Sequence, residues 1–204
     1  MKIKRLPLES ISINCYLIST EKDAIVIDPG FYSSEVEEFL KNNASQKKLI
    51  LLTHCHFDHI GDADRLRSAT NTKIAIGEFD NNSLSDPNKN LCNLFGADLK
   101  PFSADITLID GEIVSVGDIE IKVIHTPGHT LGGVCYLIDD ILFSGDTLFS
   151  GSIGRTDFPD GDFAILKNSV NKLYQLPEST KVYSGHGEAT TIGYEKKYNP
   201  FIRG

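Results

Sequence analysis

Several features are missing from this sequence, and each absence narrows the class of protein. None of the 204 residues is tryptophan, only one is methionine, and a formal net charge of −8 leaves no excess of basic residues. An acidic chain lacks the basic face that displaces the counterions of nucleic acid, so we expect no nucleic-acid partner. No apolar run approaches the roughly 20 residues of a membrane-spanning helix, so we expect no membrane partner.

Cysteine is also scarce, and its spacing indicates a reducing compartment. The four cysteines are far apart in the sequence and form no CxxC pair. In a chain of this length that pattern is typical of reduced thiols rather than of a disulfide framework. Residues 1–8 are charged and lack the apolar segment of a secretory signal. Together these features predict a cytoplasmic protein.

Histidine, by contrast, is concentrated in three short segments. Five of the six histidines lie in residues 53–59 (THCHFDH), 126–130 (TPGHT) and 184–187 (SGHG). Packing has no use for so many imidazoles in one loop, whereas imidazole and carboxylate groups together suit zinc, manganese or iron. The three segments therefore predict a metal site.

The spacing of the first segment indicates how the ligands divide between metals. Alternate side chains of an extended segment point to the same side, so His54 and His56 can bind one ion together. His129, which follows a Pro-Gly turn, would complete that site. Cys55 lies between two candidate ligands, but the same alternation turns its thiol away from them.

The remaining candidates predict a second ion. Asp58 and His59 lie just beyond the first pair, and His186 would complete their site. Two dications that share a site need an anion between them, and Asp146, at the end of a predicted strand, is the best candidate. Such sites hold ions about 3.5–4 Å apart and share a hydroxide formed from water. We expect two divalent metals, with zinc first and iron or manganese as alternatives.

Hydrophobic patterns predict an α+β fold. Two β-rich blocks alternate with helices, which favours two sheets packed face to face with helices outside, in a single domain over residues 1–204. Residues 79–103 are polar and predict a loop with one helical turn near the active site. The turns Asp110-Gly111 and Asp139-Asp140 predict hairpins. The predicted helices span residues 33–42, 63–69 and 162–174, and the predicted strands span residues 2–8, 11–19, 24–28, 48–53, 73–76, 107–109, 113–116, 119–125, 133–138, 141–144 and 181–183.

The motifs THCHFDH, TPGHT, GDT at 145–147 and GHG at 185–187 resemble those of the metallo-β-lactamase superfamily. The resemblance extends over nearly the whole chain and implies a four-layer αββα sandwich of two mixed sheets. It also implies that Asp28 is a buried carboxylate behind the ligands, although a plain turn carboxylate at a strand end is the alternative. The implied ligands are His54, His56 and His129 for one metal, Asp58, His59 and His186 for the other, and Asp146 as the bridge.

Within the superfamily the chain most resembles the glyoxalase II group, the hydroxyacylglutathione hydrolases and their single-domain relatives. Asp146 in place of cysteine disfavours the zinc β-lactamases, and His56 in place of glutamate disfavours the diiron flavoproteins. Only 18 residues follow His186 in the 204-residue chain, so we do not expect the C-terminal helical domain that helps to hold glutathione. Residues 154–158 (GRTDF) resemble both the short relatives and the persulfide dioxygenases.

The resemblance implies hydrolysis of a small-molecule thioester by a metal-bridging hydroxide, with Asp58 orienting the nucleophile. A thiolate leaving group, with a reference pKa near 8.5, needs little help from a general acid. The alternatives are a mononuclear iron persulfide dioxygenase and a hydrolase of another ester-like substrate. The dioxygenases typically carry Ala-His-Asp at the last histidine, whereas this chain has Gly-His-Gly around His186. A non-catalytic binding module is disfavoured because every ligand position is filled.

Two further residues each have two interpretations. Arg155 follows a glycine- and serine-rich loop beside the predicted metals, where its guanidinium could bind an anionic substrate. Alternatively, it pairs with Asp157 or Asp160 and stiffens the loop. His125 could support a ligand from behind, or it could be a buried or edge histidine with a structural role.

Overall fold

Fourteen strands, six α-helices and two 3-10 turns are formed by residues 1–8, 13–43 and 47–204, which are the residues described by the computed structural model. Residues 11 and 12 of the predicted strand 11–19 lie outside these ranges. Among the described residues, no helix has the length and apolar character needed to cross a bilayer.

The first six strands form one mixed sheet, here called the N-terminal sheet, in sequence order. The first three are antiparallel and the rest are parallel. The third strand is buried along its whole length, as a strand covered on both faces should be. The strands are β1 (Lys2–Leu8), β2 (Ile13–Ser19), β3 (Asp23–Ile27), β4 (Lys47–Leu52), β5 (Lys73–Gly77) and β6 (Ile106–Leu108).

Six later strands form the C-terminal sheet, which is also mixed. They are β7 (Ile113–Val116), β8 (Ile119–His125), β9 (Val134–Ile138), β10 (Ile141–Gly145), β13 (Lys181–Ser184) and β14 (Thr190–Thr191). Their order is β14-β13-β10-β9-β8-β7, and β10 pairs in parallel with β13. Between them in sequence, β11 (Leu148–Phe149) and β12 (Ser152–Ile153) form a short antiparallel ribbon.

Helices cover the outer face of each sheet. Val36, Leu40 and Leu66 belong to the core between two helices and the N-terminal sheet, and Leu166 and Val170 belong to the core on the other sheet. A third core, which contains Tyr136 and Phe143, lies between the sheets. The helices are α1 (Ser34–Asn42), α2 (Phe57–Ile60), α3 (Ala63–Thr70), α4 (Cys92–Phe95), α5 (Phe163–Leu173) and α6 (Ile192–Tyr198), and the 3-10 turns are Glu78–Asp80 and Asn82–Ser85. The predicted four-layer αββα sandwich is confirmed.

The predicted hairpin at Asp110-Gly111 is wrong. This turn follows β6 and precedes β7, and those two strands belong to different sheets. An Asp-Gly pair specifies a local reversal of the chain, but it carries no information about which sheet accepts the next strand. The Asp139-Asp140 turn does join paired strands, β9 and β10, with Asp139 at a positive φ of 51°.

The strand directions bring five loops to one edge of the sandwich. β3 and β4 are parallel, so the segments after them begin at the same end of the N-terminal sheet. In the C-terminal sheet β8 and β10 are each antiparallel to β9 and therefore run in the same direction, which β13 shares. Each of the five segments that follow these strands carries a candidate site residue.

Candidate metal centre

The structure places all seven predicted ligands at this one edge. The segment after β4 supplies four of them, and the loops after β8, β10 and β13 supply one each. Their donor atoms form three overlapping groups, each with all its donor atoms within 4.8 Å of one another. The groups are His54, His56 and His129; Asp58, His59 and His186; and His54, His59 and Asp146.

The first group consists of imidazoles alone. Nε2 of His54 lies 3.1 Å from Nδ1 of His56. The ring of His129 stands 4.8 Å from that of His54 and 4.6 Å from that of His56, centroid to centroid. All three side chains are buried, so they form a compact nitrogen-rich pocket.

The second group adds a carboxylate. Nε2 of His186 lies 3.4 Å from Oδ2 of Asp58, and Nε2 of His59 lies 3.9 Å from the same oxygen. His59 is fully buried, whereas the side chains of Asp58 and His186 retain some exposure at the floor of a cavity. This group could therefore hold an ion that a small molecule can reach.

Asp146 lies between the two groups. Its Oδ1 is 3.3 Å from Nε2 of His59, and its Oδ2 is 3.5 Å from Nε2 of His129 and 3.6 Å from Nε2 of His186. The carboxylate thus contacts imidazoles of both groups. This is the position that the sequence predicted for a bridging ligand.

Several atoms that could bind a metal have no hydrogen-bond partner. Among the described residues, the buried side-chain atoms in this condition include Nε2 of His56, His59 and His129, and Oδ1 of Asp146. Leaving buried polar atoms unpaired is costly unless another group satisfies them. Imidazole nitrogens and carboxylate oxygens converging on one point are the donors that zinc or iron binds, so the residues fit a divalent metal.

Burial and neighbouring charges set different protonation states for the ligands. Burial lowers the pKa of His56 to about 3, with a further decrease from His129, so its ring is neutral at pH 7. Burial disfavours charge on His59 as well, but Asp146 and Asp28 outweigh it and raise the pKa of His59. Burial would raise the pKa of Asp146, yet the neighbouring imidazoles, led by His59, lower it strongly, so Asp146 is an anion.

Asp28 lies behind the ligands, where the family resemblance places it. Its Oδ1 accepts a hydrogen bond of 2.8 Å from the backbone N–H of Thr53. Its Oδ2 accepts bonds of 2.7 Å from Thr53 Oγ1 and 2.9 Å from Nδ1 of His59. A carboxylate bound to the far nitrogen of a ligating histidine orients the ring and selects its tautomer. Asp28 is thus more than a turn carboxylate at the end of β3.

Asp80 is absent from the predicted site, and the structure shows it tying two ligand loops together. Its Oδ2 accepts hydrogen bonds from the backbone N–H of Cys55 at 3.0 Å and from Thr130 Oγ1 at 2.8 Å, and its Oδ1 accepts one from Gly132 N–H at 2.7 Å. Burial raises its pKa, although the bonds from Thr130 and Gly132 oppose that shift. The Cys55 thiol itself points away, towards the carbonyl of Lys89.

One glycine is required by the close packing of the ligands. A Cβ at Gly185 would lie 2.4 Å from Oδ1 of Asp146 and 2.6 Å from Cε1 of His59. Real Cβ atoms do not approach other atoms so closely, so any side chain at this position would displace the ligands. The glycine before His186 therefore serves the packing of the site rather than a turn.

A cavity of about 340 Å³ opens above the ligands. A larger depression of about 650 Å³ between β1 and α1 contains none of the candidate ligands, so size alone does not identify the site. The smaller cavity has a polar floor and an apolar wall, as small-molecule sites commonly do. The floor consists of His56, Asp58, His129, Asp146 and His186, and the wall of Phe57, Leu91, Phe95, Phe149, Phe158 and Arg155.

Arg155 combines features of both its interpretations. It lines the cavity, and its guanidinium lies 4.1 Å from the ring centroid of Phe158. It also donates two hydrogen bonds, of 2.9 and 2.7 Å, to the carboxylate of Asp157. Asp160 pairs instead with Lys89 at 2.9 Å. The backbone carbonyl of Arg155 accepts a bond of 2.8 Å from Nδ1 of His129, a contact that no sequence motif predicts.

His125 does not belong to any of the three ligand groups. Its Nε2 lies 3.0 Å from the carbonyl of Leu131, and its ring packs against Phe79. These contacts fit the structural interpretation of His125, and they make it a suitable control position for the ligands.

Comparison with known proteins assigns the family. The sequence profile of the Metallo-beta-lactamase superfamily matches residues 10–186. The chain therefore belongs to the metallo-β-lactamase superfamily. "Probable metallo-hydrolase YqgX" of Bacillus subtilis is 35% identical over 100% of this chain and 99% of its own length. "Hydroxyacylglutathione hydrolase GloC" of Haemophilus influenzae is 35% identical over 99% of this chain and 98% of its own.

Solved structures show the same architecture. The BLEG-1 B3 metallo-beta-lactamase matches with a TM-score of 0.91 and 40% identity over 100% of both chains. ETHE1 from Myxococcus xanthus matches with a TM-score of 0.80 and 31% identity, over 98% of this chain and 84% of its own. TTHA1623 in a di-iron-bound form matches with a TM-score of 0.85 and 32% identity, over 98% of this chain and 100% of its own. The protein is thus a metallo-hydrolase of this superfamily with a histidine-rich metal site.

Proposed function

We propose that the protein hydrolyses small-molecule thioesters, as a hydroxyacylglutathione hydrolase does, with two divalent metals. The observation that carries the proposal is the position of Asp146, whose carboxylate contacts imidazoles from both ligand groups. A bridging anion is what two neighbouring dications require. The end-to-end similarity to the hydroxyacylglutathione hydrolase GloC supports the thioester as the substrate.

The proposed division of ligands follows the geometric groups. His54, His56 and His129 would hold one metal, Asp58, His59 and His186 the other, and Asp146 would contact both. Zinc is the first expectation from the donor set, and the di-iron form of TTHA1623 supports iron as the alternative. Bound metals of this kind lower the pKa of water and stabilise negative charge on a carbonyl oxygen.

Asp58 would position the attacking water and accept its proton. The residue lines the cavity floor, within reach of a substrate. Burial raises its pKa, but His59 and a hydrogen bond from His186 lower it, and the net shift is downward. The carboxylate is therefore ionised at neutral pH and can act as an acceptor. A positioned base of this kind contributes about 10²- to 10⁴-fold to a rate.

Two of the similar solved structures favour specific alternative functions. The similarity to BLEG-1 favours a lactam amide as the substrate, so Asp146 alone does not separate this chain from a protein named as a β-lactamase. The similarity to ETHE1 favours the persulfide dioxygenase alternative. Against a mononuclear enzyme stands the second ligand group, which has as many converging donors as the first.

A direct assay tests the proposal. Metal-reconstituted protein is supplied with lactoylglutathione, simple acyl thioesters, a cephalosporin and, with oxygen uptake recorded, glutathione persulfide. We expect thiol release from the thioesters to dominate. His56→Asn should abolish it, whereas the matched control His125→Asn, outside the ligand groups, should retain it. Dominant lactam opening or oxygen consumption would replace the thioesterase proposal with the corresponding alternative.

A further inference from the structure

The wall of the cavity contains three neighbouring phenylalanines, Phe57, Phe95 and Phe158, which we call the phenylalanine wall. The ring of Phe95 lies 5.3 Å from that of Phe57 and 6.1 Å from that of Phe158, centroid to centroid. Phe158 in turn stands 5.8 Å from the ring of the candidate ligand His56. The apolar surface therefore begins directly beside the metal ligands.

A backbone hydrogen bond links two members of the wall, Phe57 and Phe95, through the segments that carry them. Phe57 immediately precedes the candidate ligand Asp58 in the chain, and its backbone N–H donates a hydrogen bond of 2.9 Å to the carbonyl of Asn90. This bond attaches the ligand segment to the segment that leads through Leu91 into α4, which ends at Phe95. This bond holds Phe57 and Phe95 beside the segment that carries Asp58.

Packing does not account for Phe95. Phe95 is the last residue of a helix of only four residues, and it is 54% exposed, so more than half of it lies outside the core. A contiguous apolar surface that borders a polar site, rather than the core, marks a place where a ligand is covered. Burial of an apolar group against these rings would remove both surfaces from water.

The guanidinium beside the phenylalanine wall is already paired, so it gives no preference to an anionic acyl group. Arg155 is the one cationic side chain among the lining residues of the cavity, and that guanidinium already binds Asp157 through two hydrogen bonds. A substrate carboxylate in this cavity would have to compete with Asp157, whereas an alkyl or aryl group meets no such competition.

We propose that the phenylalanine wall binds the acyl group of the substrate, and that the protein prefers thioesters of apolar aliphatic or aromatic acids. This inference rests on the proposed thioesterase function and specifies its substrate class. A cavity of about 340 Å³ is at the small end of ligand sites and can enclose an acyl group, but not an extended polar thiol as well. The polar thiol portion would remain in the open mouth.

The test is a series of acetyl, butyryl, hexanoyl and benzoyl thioesters of one small neutral thiol. In the unaltered protein kcat/KM should rise about fourfold for each added methylene, the factor expected for burial of one such group. Phe95→Ala should flatten this rise. Phe201→Ala is the matched control, because Phe201 is equally exposed, at 56%, and is not among the cavity residues. It should leave the rise unchanged.

A binding measurement separates this inference from the proposed activity. Titration calorimetry of the metal-loaded protein should show hexanoate binding more tightly than acetate, with the difference reduced in Phe95→Ala. If that pattern appears without thioester turnover, the apolar site stands and the proposed function fails. A flat acyl series together with equal binding of the two acids, or an unchanged preference in correctly folded Phe95→Ala, would overturn the proposal.

Discussion

Nδ1 of His59 donates a hydrogen bond of 2.9 Å to Oδ2 of Asp28, and this contact determines which nitrogen of His59 faces the other ligands. With Nδ1 engaged, Nε2 points towards Asp58 and Asp146, at 3.9 and 3.3 Å. Because the carboxylate accepts from Nδ1, the proton on that nitrogen is retained, and Nε2 is the nitrogen left to bind a metal once its own proton is displaced. Asp28 therefore influences metal binding without touching the metal.

The first prediction is that Asp28→Asn weakens metal binding. The amide can present its NH₂ group to Nδ1, which favours the wrong tautomer of His59, and we expect a fall of about 10- to 100-fold in metal affinity. Competition with a chromophoric chelator measures it. Asp23→Asn is a matched control, because Asp23 is a buried carboxylate at the opposite end of β3. An equal loss of affinity in both variants would show only a general effect of burying an amide.

The second prediction concerns the bond between Thr130 and Asp80. Thr130→Val removes the hydroxyl that donates to Asp80 while keeping the size of the side chain, and it loosens the loop that carries His129. We expect the absorption spectrum of the cobalt-substituted protein to change and metal affinity to fall about tenfold or more. Thr130→Ser keeps the hydroxyl and should behave as the unaltered protein. Identical spectra for the Val and Ser variants would contradict a positioning role for this bond.

The seven ligand candidates could be predicted because metal chemistry is local in sequence. Four of them stand within six positions, and their types alone restrict what they bind. Asp80 could not be recognised in the same way. It lies in a stretch rich in Asn, Asp and Ser, where a buried carboxylate and a solvated loop carboxylate have the same neighbours in sequence.

The elements of the fold show the same division between local and non-local information. The sequence predicts helix α1 through Asn42, where it does end, because the apolar spacing of Val36 and Leu40 is a local signal. Helix α4 with Phe95 lies within residues 79–103, predicted as a loop with one helical turn. Of its four residues Phe95 lines the cavity and Cys92 is buried, so the segment is too short to show the apolar period that marks a packed helix. The sequence thus predicts the helical turn, but not the two 3-10 turns that precede it or the place of Phe95 in the cavity wall.

The third prediction is that acid removes one metal before the other. Burial disfavours charge on His186, but Asp58 and Asp146 raise its pKa, and the carboxylates raise that of His59 as well. A metal in the second group must displace those protons, so its affinity should fall about tenfold per pH unit for each displaced proton as the pH is lowered. In the first group His54 and His56 impose no such penalty, because burial lowers the pKa of both, that of His56 to about 3.

Elemental analysis after dialysis at stepped pH measures this behaviour. We expect two metals per chain at neutral pH and one at an intermediate acidic pH. Simultaneous loss of both metals would contradict the difference between the groups. A single metal at every pH, with thioesterase activity retained, would contradict the dinuclear proposal itself.

The fourth prediction is that Asp58→Asn reduces thioester turnover by about 10²-fold or more, because the amide cannot accept a proton. The fold should survive, since Asp58 lies in a four-residue helix at the sheet edge rather than in a core. Steady-state kinetics on variants of equal metal content measures the loss. Asp64→Asn, which removes a carboxylate paired with Arg67 on α3, should keep normal turnover. Normal turnover in metal-loaded Asp58→Asn would exclude Asp58 from the mechanism.

The fifth prediction separates the two interpretations of Arg155, whose side chain is 62% exposed and bound to Asp157. If the guanidinium anchors an anionic thiol portion at the mouth, Arg155→Ala should raise KM for anionic substrates and leave it unchanged for neutral ones. Asp157→Asn should then lower KM for the anionic substrates, because it removes the competing carboxylate. Thermal unfolding should barely change, since exposed ion pairs contribute about 0–1 kcal/mol.

Comparing Arg155→Ala with Asp157→Asn distinguishes substrate anchoring from a purely structural role in the loop. If Arg155 only stiffens its loop, both Arg155→Ala and Asp157→Asn break the same pair and should impair the enzyme alike, whatever the charge of the substrate. The carbonyl of Arg155 bonds to Nδ1 of His129, so a loosened loop should also disturb metal binding. Opposite shifts of KM in the two variants, with metal affinity unchanged, would therefore identify substrate anchoring. Similar losses of activity and metal affinity in both variants would show that Arg155 stiffens the loop.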